Sequence, residues 1–439
     1  MADSPRLLRV VGLAGLTAIA VNGVVGSGIF VLPATVYGLA GPASPTAYAL
    51  AAVLMALVVA CFAEAGSRSD ETGGPYLYAR DAFGELAGFL VGWMFFLTRL
   101  AATAAIANAF VNYLGYLDPA LATGAGRFAA ITLAVGGLAA INLYGVRGAS
   151  RTVNFLTIAK LVPLVVFIVV GLAIVDLHGP RAPVLGLPQG GSLRQAALLL
   201  VFAYGGFENA NVPTEEAVDP RRHLPIALLS TIAAVAVLYM LIQIVAQAAL
   251  PELATSATPL ASAARAVMGP PGGALLTAAA VVSTLGSISA VILVGPRILF
   301  AFARHGQLPA VLARIHPRRR SPHLAVVVFA VLVWAVALVG GFAQLAALSA
   351  VARLIFSAST CLAVPILRWR RRDAAPAFAL PGGPAIPLFA VALSVWLLTG
   401  VTSTQAIAGA IGLASGLVIH LAGRWLRPPR RSTPPPAQR

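Results

Sequence analysis

Long apolar runs, separated by short basic or glycine- and proline-containing stretches, constrain this chain more than any other feature. At about 20 apolar residues per membrane crossing, they mark twelve expected spans, near residues 10–38, 44–66, 84–116, 126–146, 153–176, 193–213, 224–249, 271–303, 323–341, 343–367, 384–402 and 405–426. The third and eighth are long enough to require tilt. Charged residues make up 10% of the chain, against about 25% in soluble domains, and mean hydropathy is +0.89. An all-α integral membrane protein is expected.

The formal net charge of +16 would suit a nucleic-acid partner if it lay along one face, but the basic residues sit in loops beside the apolar runs. They therefore read as topology signals. With the N-terminus inside, Arg127, Arg181, Arg194 and Arg265 fall in outer loops, and Arg99, Lys160, Arg297 and Arg353 fall within spans. Every other Lys or Arg is cytoplasmic, which fixes both termini inside. Residues 1–9 form a cytoplasmic N-terminus, and 427–439 a basic, proline-rich tail expected to be disordered. Arg6 and Arg9 precede a run too long for a signal peptide, so it reads as a retained first helix. Cys61 and Cys361 both fall inside spans, as apolar packing residues rather than a disulfide or metal framework.

Two spans are broken. Val21 to Pro33, VNGVVGSGIFVLP, sets Gly23, Gly26, Ser27 and Gly28 inside the first. Leu198 to Val212, LLLVFAYGGFENANV, interrupts the sixth with Gly205, Gly206 and Glu208. These spans open two blocks of five, 10–176 and 193–367, leaving 384–426 as two extra C-terminal helices. Five is odd, so the second block crosses the membrane inverted relative to the first, and paired breaks at corresponding positions mark a transporter's midplane site. Backbone N–H groups around Gly26, Ser27 and Gly28, at the start of a half-helix, suit a carboxylate. Free carbonyls where the sixth span breaks, near Phe202 and Tyr204, suit an ammonium group. Together they define an amino acid. The alternative use of these glycines is close helix packing, and Phe202 reads equally as a gate or as an ordinary aromatic.

Ionisable residues inside spans are the remaining candidates. Glu208, beside the break, reads as a coupling or gating group, and Glu64, at the cytoplasmic end of span two, as solvated or ion-paired. Lys160 lies well inside span five, where a desolvated lysine can exchange a proton while nearby carbonyls hold it charged; the alternative is snorkelling to the cytoplasmic surface. Arg99 must find carboxylates, carbonyls or water, whether paired with a glutamate or lining the vestibule and disfavouring cationic substrates. Arg353 poses the same question, and Arg297 is placed to snorkel. The six histidines are scattered and form neither a nucleophile–base pair nor a metal cluster, so no enzyme and no cofactor is expected.

GSGIF in span one, ETGGPYLYARDAFG before span three, NLYGVRGASRTVNFLTIAKLVPL into span five, FAYGGFE in span six, EEAVDPRRHLPIAL after it and RILFAFARHGQLP closing span eight occur in order across residues 10–370. In these the chain resembles the amino acid-polyamine-organocation (APC) superfamily of permeases. The resemblance implies a five-plus-five inverted-repeat fold (LeuT-like, or APC, fold) and alternating access. It implies the substrate carboxylate at Gly26, Ser27 and Gly28, the amine near carbonyls of Val24, Phe202 and Gly205, and a gate at Phe202, with Ala203 a further substrate-site candidate. It further implies that Lys160 takes the place of a coupling sodium ion; Arg99 and Arg353 belong to none of these motifs.

The expected function is therefore secondary active transport of an amino acid, sodium-independent, by proton symport or exchange, in a bacterial-type inner membrane. Its partners are the substrate, protons and membrane lipids, with no nucleic acid, in a monomer or homodimer. A polyamine or amine permease is the alternative, followed by a non-transporting amino acid sensor or a channel.

Overall fold

The computed structural model describes residues 12–67, 74–144, 149–179, 181–187, 192–208, 218–316, 321–370 and 378–425. The expected N-terminal segment, the C-terminal tail and parts of the ETGG, YGVRG and EEAVDP loops lie outside the described residues. Among those described there is no strand.

The helices run in order α1 (Leu13–Val24), α2 (Gly28–Ala40), α3 (Ser44–Ser67), α4 (Pro75–Phe83), α5 (Glu85–Leu117), α6 (Gly124–Tyr144) and α7 (Ala149–Ile174). They continue with α8 (Leu193–Ala203), α9 (Pro220–Ala249), α10 (Pro259–Arg304), α11 (His323–Val339), α12 (Phe342–Arg370), α13 (Ala385–Leu398) and α14 (Ser403–Trp425). Among the described residues, eight helices or helix runs are long and apolar enough to cross a membrane, and α1, α8, α11 and α13 are shorter apolar helices. At about 1.5 Å rise per residue, the 33 residues of α5 span about 50 Å. That exceeds the hydrocarbon thickness of about 30 Å, so α5 crosses tilted or projects beyond it.

The sixth apolar run, expected to reach 213, carries α8 only to Ala203, and residues 209–217 lie outside the described residues. The other observed ends follow the apolar runs closely except at two places. A short helix, α4, precedes α5 and packs along it. Helix α10 begins at Pro259, twelve residues before the expected span at 271, and is two helices joined at a kink where Gly269 takes φ +70° before Pro270 and Pro271. Gly-Pro-Pro reads as a breaker in sequence; here the prolines open the second helix, where a missing N–H costs nothing.

Among the described residues a large continuous apolar core fills the bundle, with Leu16 and Ala227 forming a small separate cluster. Helix α5 runs against α12 and α10, α3 against α9, and both α2 and α12 against α8. Large apolar side chains such as Leu133 on α6, Val169 on α7 and Ile411 on α14 point outward, the pattern of a bundle solvated by lipid. The short helices α1, α2 and α8 sit inside this ring, where opened backbone is shielded from lipid.

Candidate functional site

The first break is a three-residue gap, Val25 to Ser27. Helix α1 ends at Val24, Val25 leaves helical geometry with ψ 81°, and α2 resumes at Gly28 with Ser27 as its cap. Val25 and Gly26 donate back to Val21 O and Val24 O at 2.8 Å each. Phe30 N and Val31 N donate to Ser27 O at 3.1 and 3.2 Å, which leaves the N–H groups of Gly28 and Ile29 at the start of α2 without an intrahelical acceptor.

The second break follows Ala203. Gly206 adopts φ +114°, which favours glycine, and a Cβ there would collide with Gly23 O. The two breaks meet again at Gly28, where an added Cβ would sit 2.7 Å from Ala203 Cα. Gly28 thus serves the close packing weighed for it in the sequence as well as lining the gap. Tyr239 of α9 ties both ends, its hydroxyl donating to Val24 O (3.0 Å) or Ala203 O (3.3 Å).

Between the breaks lies a cavity of about 40 Å³, lined by Asn22, Val24, Gly26, Ser27 and Gly28 from the first break and by Phe202, Ala203 and Gly205 from the second. Arg99, Ala102 and Ile106 of α5, Ser287, Ala290 and Val291 of α10, and Arg353 of α12 close its sides. It has room for about two or three waters, so an amino acid enters only if the helices part. The Phe202 ring packs edge-on to Phe342 at 5.7 Å, both aromatics buried.

The substrate-site candidates read from the sequence, Val24, Gly26, Ser27, Gly28, Phe202, Ala203 and Gly205, all line this one cavity, as does Arg99. Lys160 and Glu208 stand behind its wall. Lys160 is 1% exposed and donates to Asn22 O (3.0 Å) and Val25 O (2.7 Å) at the end of α1; it does not snorkel. Glu208 accepts from Gly206 N (2.8 Å) and from Arg353 Nη1, and Arg99 Nη2 lies 3.5 Å from its Oε2. Glu64 is ion-paired, bound by Arg368 through Nε (2.7 Å) and Nη2 (2.6 Å). Arg297 is exposed.

Sequence reasoning missed Asn22, Tyr239 and Ser287, which carry no glycine or charge to flag them. It also expected the carbonyl of Val24 to be open, whereas in this conformation Tyr239 and Gly26 both donate to it. Open acceptor capacity instead lies at Asn22 Oδ1, buried and without a partner among the described residues, alongside the hydroxyls of Ser27 and Ser287, which likewise have none there. Among the described residues no group of three His, Cys, Asp or Glu side chains could hold a metal ion.

Comparison with known proteins gives concordant results. The family model described as amino acid permease matches residues 11–414. Three curated relatives come from Bacillus subtilis (strain 168). The methylthioribose transporter is 26% identical, covering 95% of this chain and 94% of its own length. The branched-chain amino acid permease BcaP is 26% identical (94% and 92%), and the serine/threonine exchanger SteT 29% identical (94% and 95%).

Proposed function

Because the chain belongs to the amino acid permease family and is a multi-pass membrane protein, we propose that it is a secondary active amino acid carrier working by alternating access. The observation that carries this reading is the meeting of two interrupted helices around one buried cavity, with α2 N–H groups and Ser27 on one side and the end of α8 on the other. The α2 N-terminus suits the substrate carboxylate. Asn22 Oδ1 and the last carbonyls of α8 suit its ammonium group. Phe202 covers the site with Phe342, and the smallness of the cavity supports a closed state that must open to load.

In this reading residues 10–176 and 193–367 are inverted five-span repeats, 384–426 adds two spans to make twelve, and both termini face the cytoplasm of a bacterial-type inner membrane. Lys160 stands where a cation would otherwise satisfy the Asn22 and Val25 carbonyls, which supports sodium-independent transport driven by protons or by exchange. Glu208, tied to the second break, couples that break to α5 and α12 through Arg99 and Arg353.

Counterflow is the test. Proteoliposomes preloaded with unlabelled amino acid should accelerate entry of the labelled form, equally in sodium and in choline. No acceleration with any amino acid would contradict the carrier reading, and acceleration in sodium alone would contradict the role of Lys160. An amine permease is disfavoured by the two guanidinium groups lining the cavity.

A further inference from the structure

Arg99 and Arg353 enter the same cavity from α5 and α12, and each is no more than 3% exposed. A guanidinium cannot shed its charge, and leaving water costs several kcal/mol per ion unless the charge is paired and hydrogen-bonded. Here the pairing is incomplete. Among the described residues Glu208 is the one carboxylate paired with them, and its oxygens already accept from Arg353 Nη1 and from Gly206 N. Arg99 Nη2 approaches Glu208 Oε2 only to 3.5 Å and forms no hydrogen bond. Among the described residues the Nε and Nη2 of Arg99 and the Nε of Arg353 are thus buried donors without acceptors.

Glu64 does not supply the missing charge, because it is held by Arg368 and by Leu380 N. Nor is the excess offset by Lys160, which adds a further buried cation behind the cavity. The Arg99 guanidinium rests on the Phe95 ring at 4.7 Å, and Arg353 lies directly over Gly205, where a Cβ would meet its Cζ. Both groups are therefore held against fixed surfaces rather than free to reach water.

An amino acid bound between the helix breaks brings one carboxylate and one ammonium group, which cancel and leave the guanidinium excess unpaired. We propose that the substrate side chain supplies the missing anion: the carried amino acid has a side-chain carboxylate, received by Arg99 and Arg353. A guanidinium fork matches a planar carboxylate. This rests on the amino acid carrier reading above and narrows it, because nothing in the family assignment specifies an acidic substrate.

The test reconstitutes the full chain and measures counterflow of labelled L-glutamate and L-aspartate, with unlabelled L-glutamine, L-asparagine, L-leucine and L-lysine as competitors. The acid should outcompete its own amide by at least about tenfold in half-maximal concentration, or about 1.4 kcal/mol. The amide keeps the shape and removes the charge, so this ratio isolates the carboxylate. Arg99→Gln should reduce the ratio to below about threefold, and Arg99→Lys, which keeps the charge without the fork, should preserve the acid preference at weaker affinity. Counterflow of neutral amino acids with no preference for the acid would overturn the inference and leave the carrier intact. An undiminished acid preference in Arg99→Gln would overturn it equally. Absence of counterflow with every amino acid would overturn the carrier reading itself, and this proposal with it. Should Arg99→Gln fail to fold, Arg99→Lys and the wild-type acid-to-amide ratio decide the matter.

Discussion

Replacing Lys160 with alanine removes an ammonium group that holds the open end of α1. In the structure Nζ donates to Val25 O at 2.7 Å and Asn22 O at 3.0 Å, and the whole side chain is buried. Hydrogen bonds to a charged group contribute about 1.5–3 kcal/mol each, so the pair is worth about 3–6 kcal/mol. Val25 O keeps the Ser283 hydroxyl at 3.4 Å, and water admitted to the vacated space compensates Asn22 O in part. About 3 kcal/mol remains as the net loss, which lowers the population with α1 properly closed on the cavity by about a hundredfold. Initial uptake into proteoliposomes should fall by a comparable factor. Lys160→Met, which fills the space without the charge, should transport as poorly. Size-exclusion and thermal-denaturation profiles would establish that both variants are folded. Folded Lys160→Ala with uptake within about threefold of wild type would refute the reasoning.

Tyr239→Phe deletes the hydroxyl shared by Val24 O and Ala203 O; Val24 O keeps Gly26 N at 2.8 Å, but leaving the buried Ala203 carbonyl unpaired costs about 1–3 kcal/mol, and uptake should drop about tenfold with little loss of expressed protein. Gly206→Ala forces a side chain into φ +114° and onto Gly23 O, so the variant should lose both transport and several degrees of thermal stability, whereas Gly41→Ala, with open space around it but φ +55°, should lose less. Glu64→Gln leaves Arg368 without its bidentate partner; because Arg368 is 21% exposed, the loss should be about 3 kcal/mol, the low end for a buried pair, read as a lowered unfolding temperature. Wild-type behaviour in any of these variants would remove the corresponding contact from the account.

The two breaks were legible in sequence because each clusters glycines within a few residues of an apolar run, and their meeting at Gly28 and Ala203 fits that shared defect. Lys160 was legible for a related reason: a lone ammonium group deep in a span must find acceptors, and the helix end freed by the first break provides them. The Glu208–Arg353 pair was not legible as a pair, since it joins residues 145 apart in the chain, and no local periodicity encodes such a contact. Tyr239 and Ser287 were invisible because a tyrosine or serine in a span signals nothing until a partner is placed beside it. The early start of α10 was hidden by Gly269-Pro270-Pro271, which reads as a loop whether the chain turns away or merely kinks.

The central claim is that substrate sits between the broken helices, and site-directed thiol protection tests it most directly. With the buried Cys61 and Cys361 replaced by alanine, Ser27→Cys at the start of α2 and Ser287→Cys on α10 place thiols in the cavity lining, and Leu133→Cys on α6 serves as a lipid-facing control. The transported amino acid should slow alkylation of both cavity thiols by a membrane-permeant maleimide and leave the control unchanged. Equal labelling rates at Ser27→Cys and Ser287→Cys with and without saturating substrate would contradict the account.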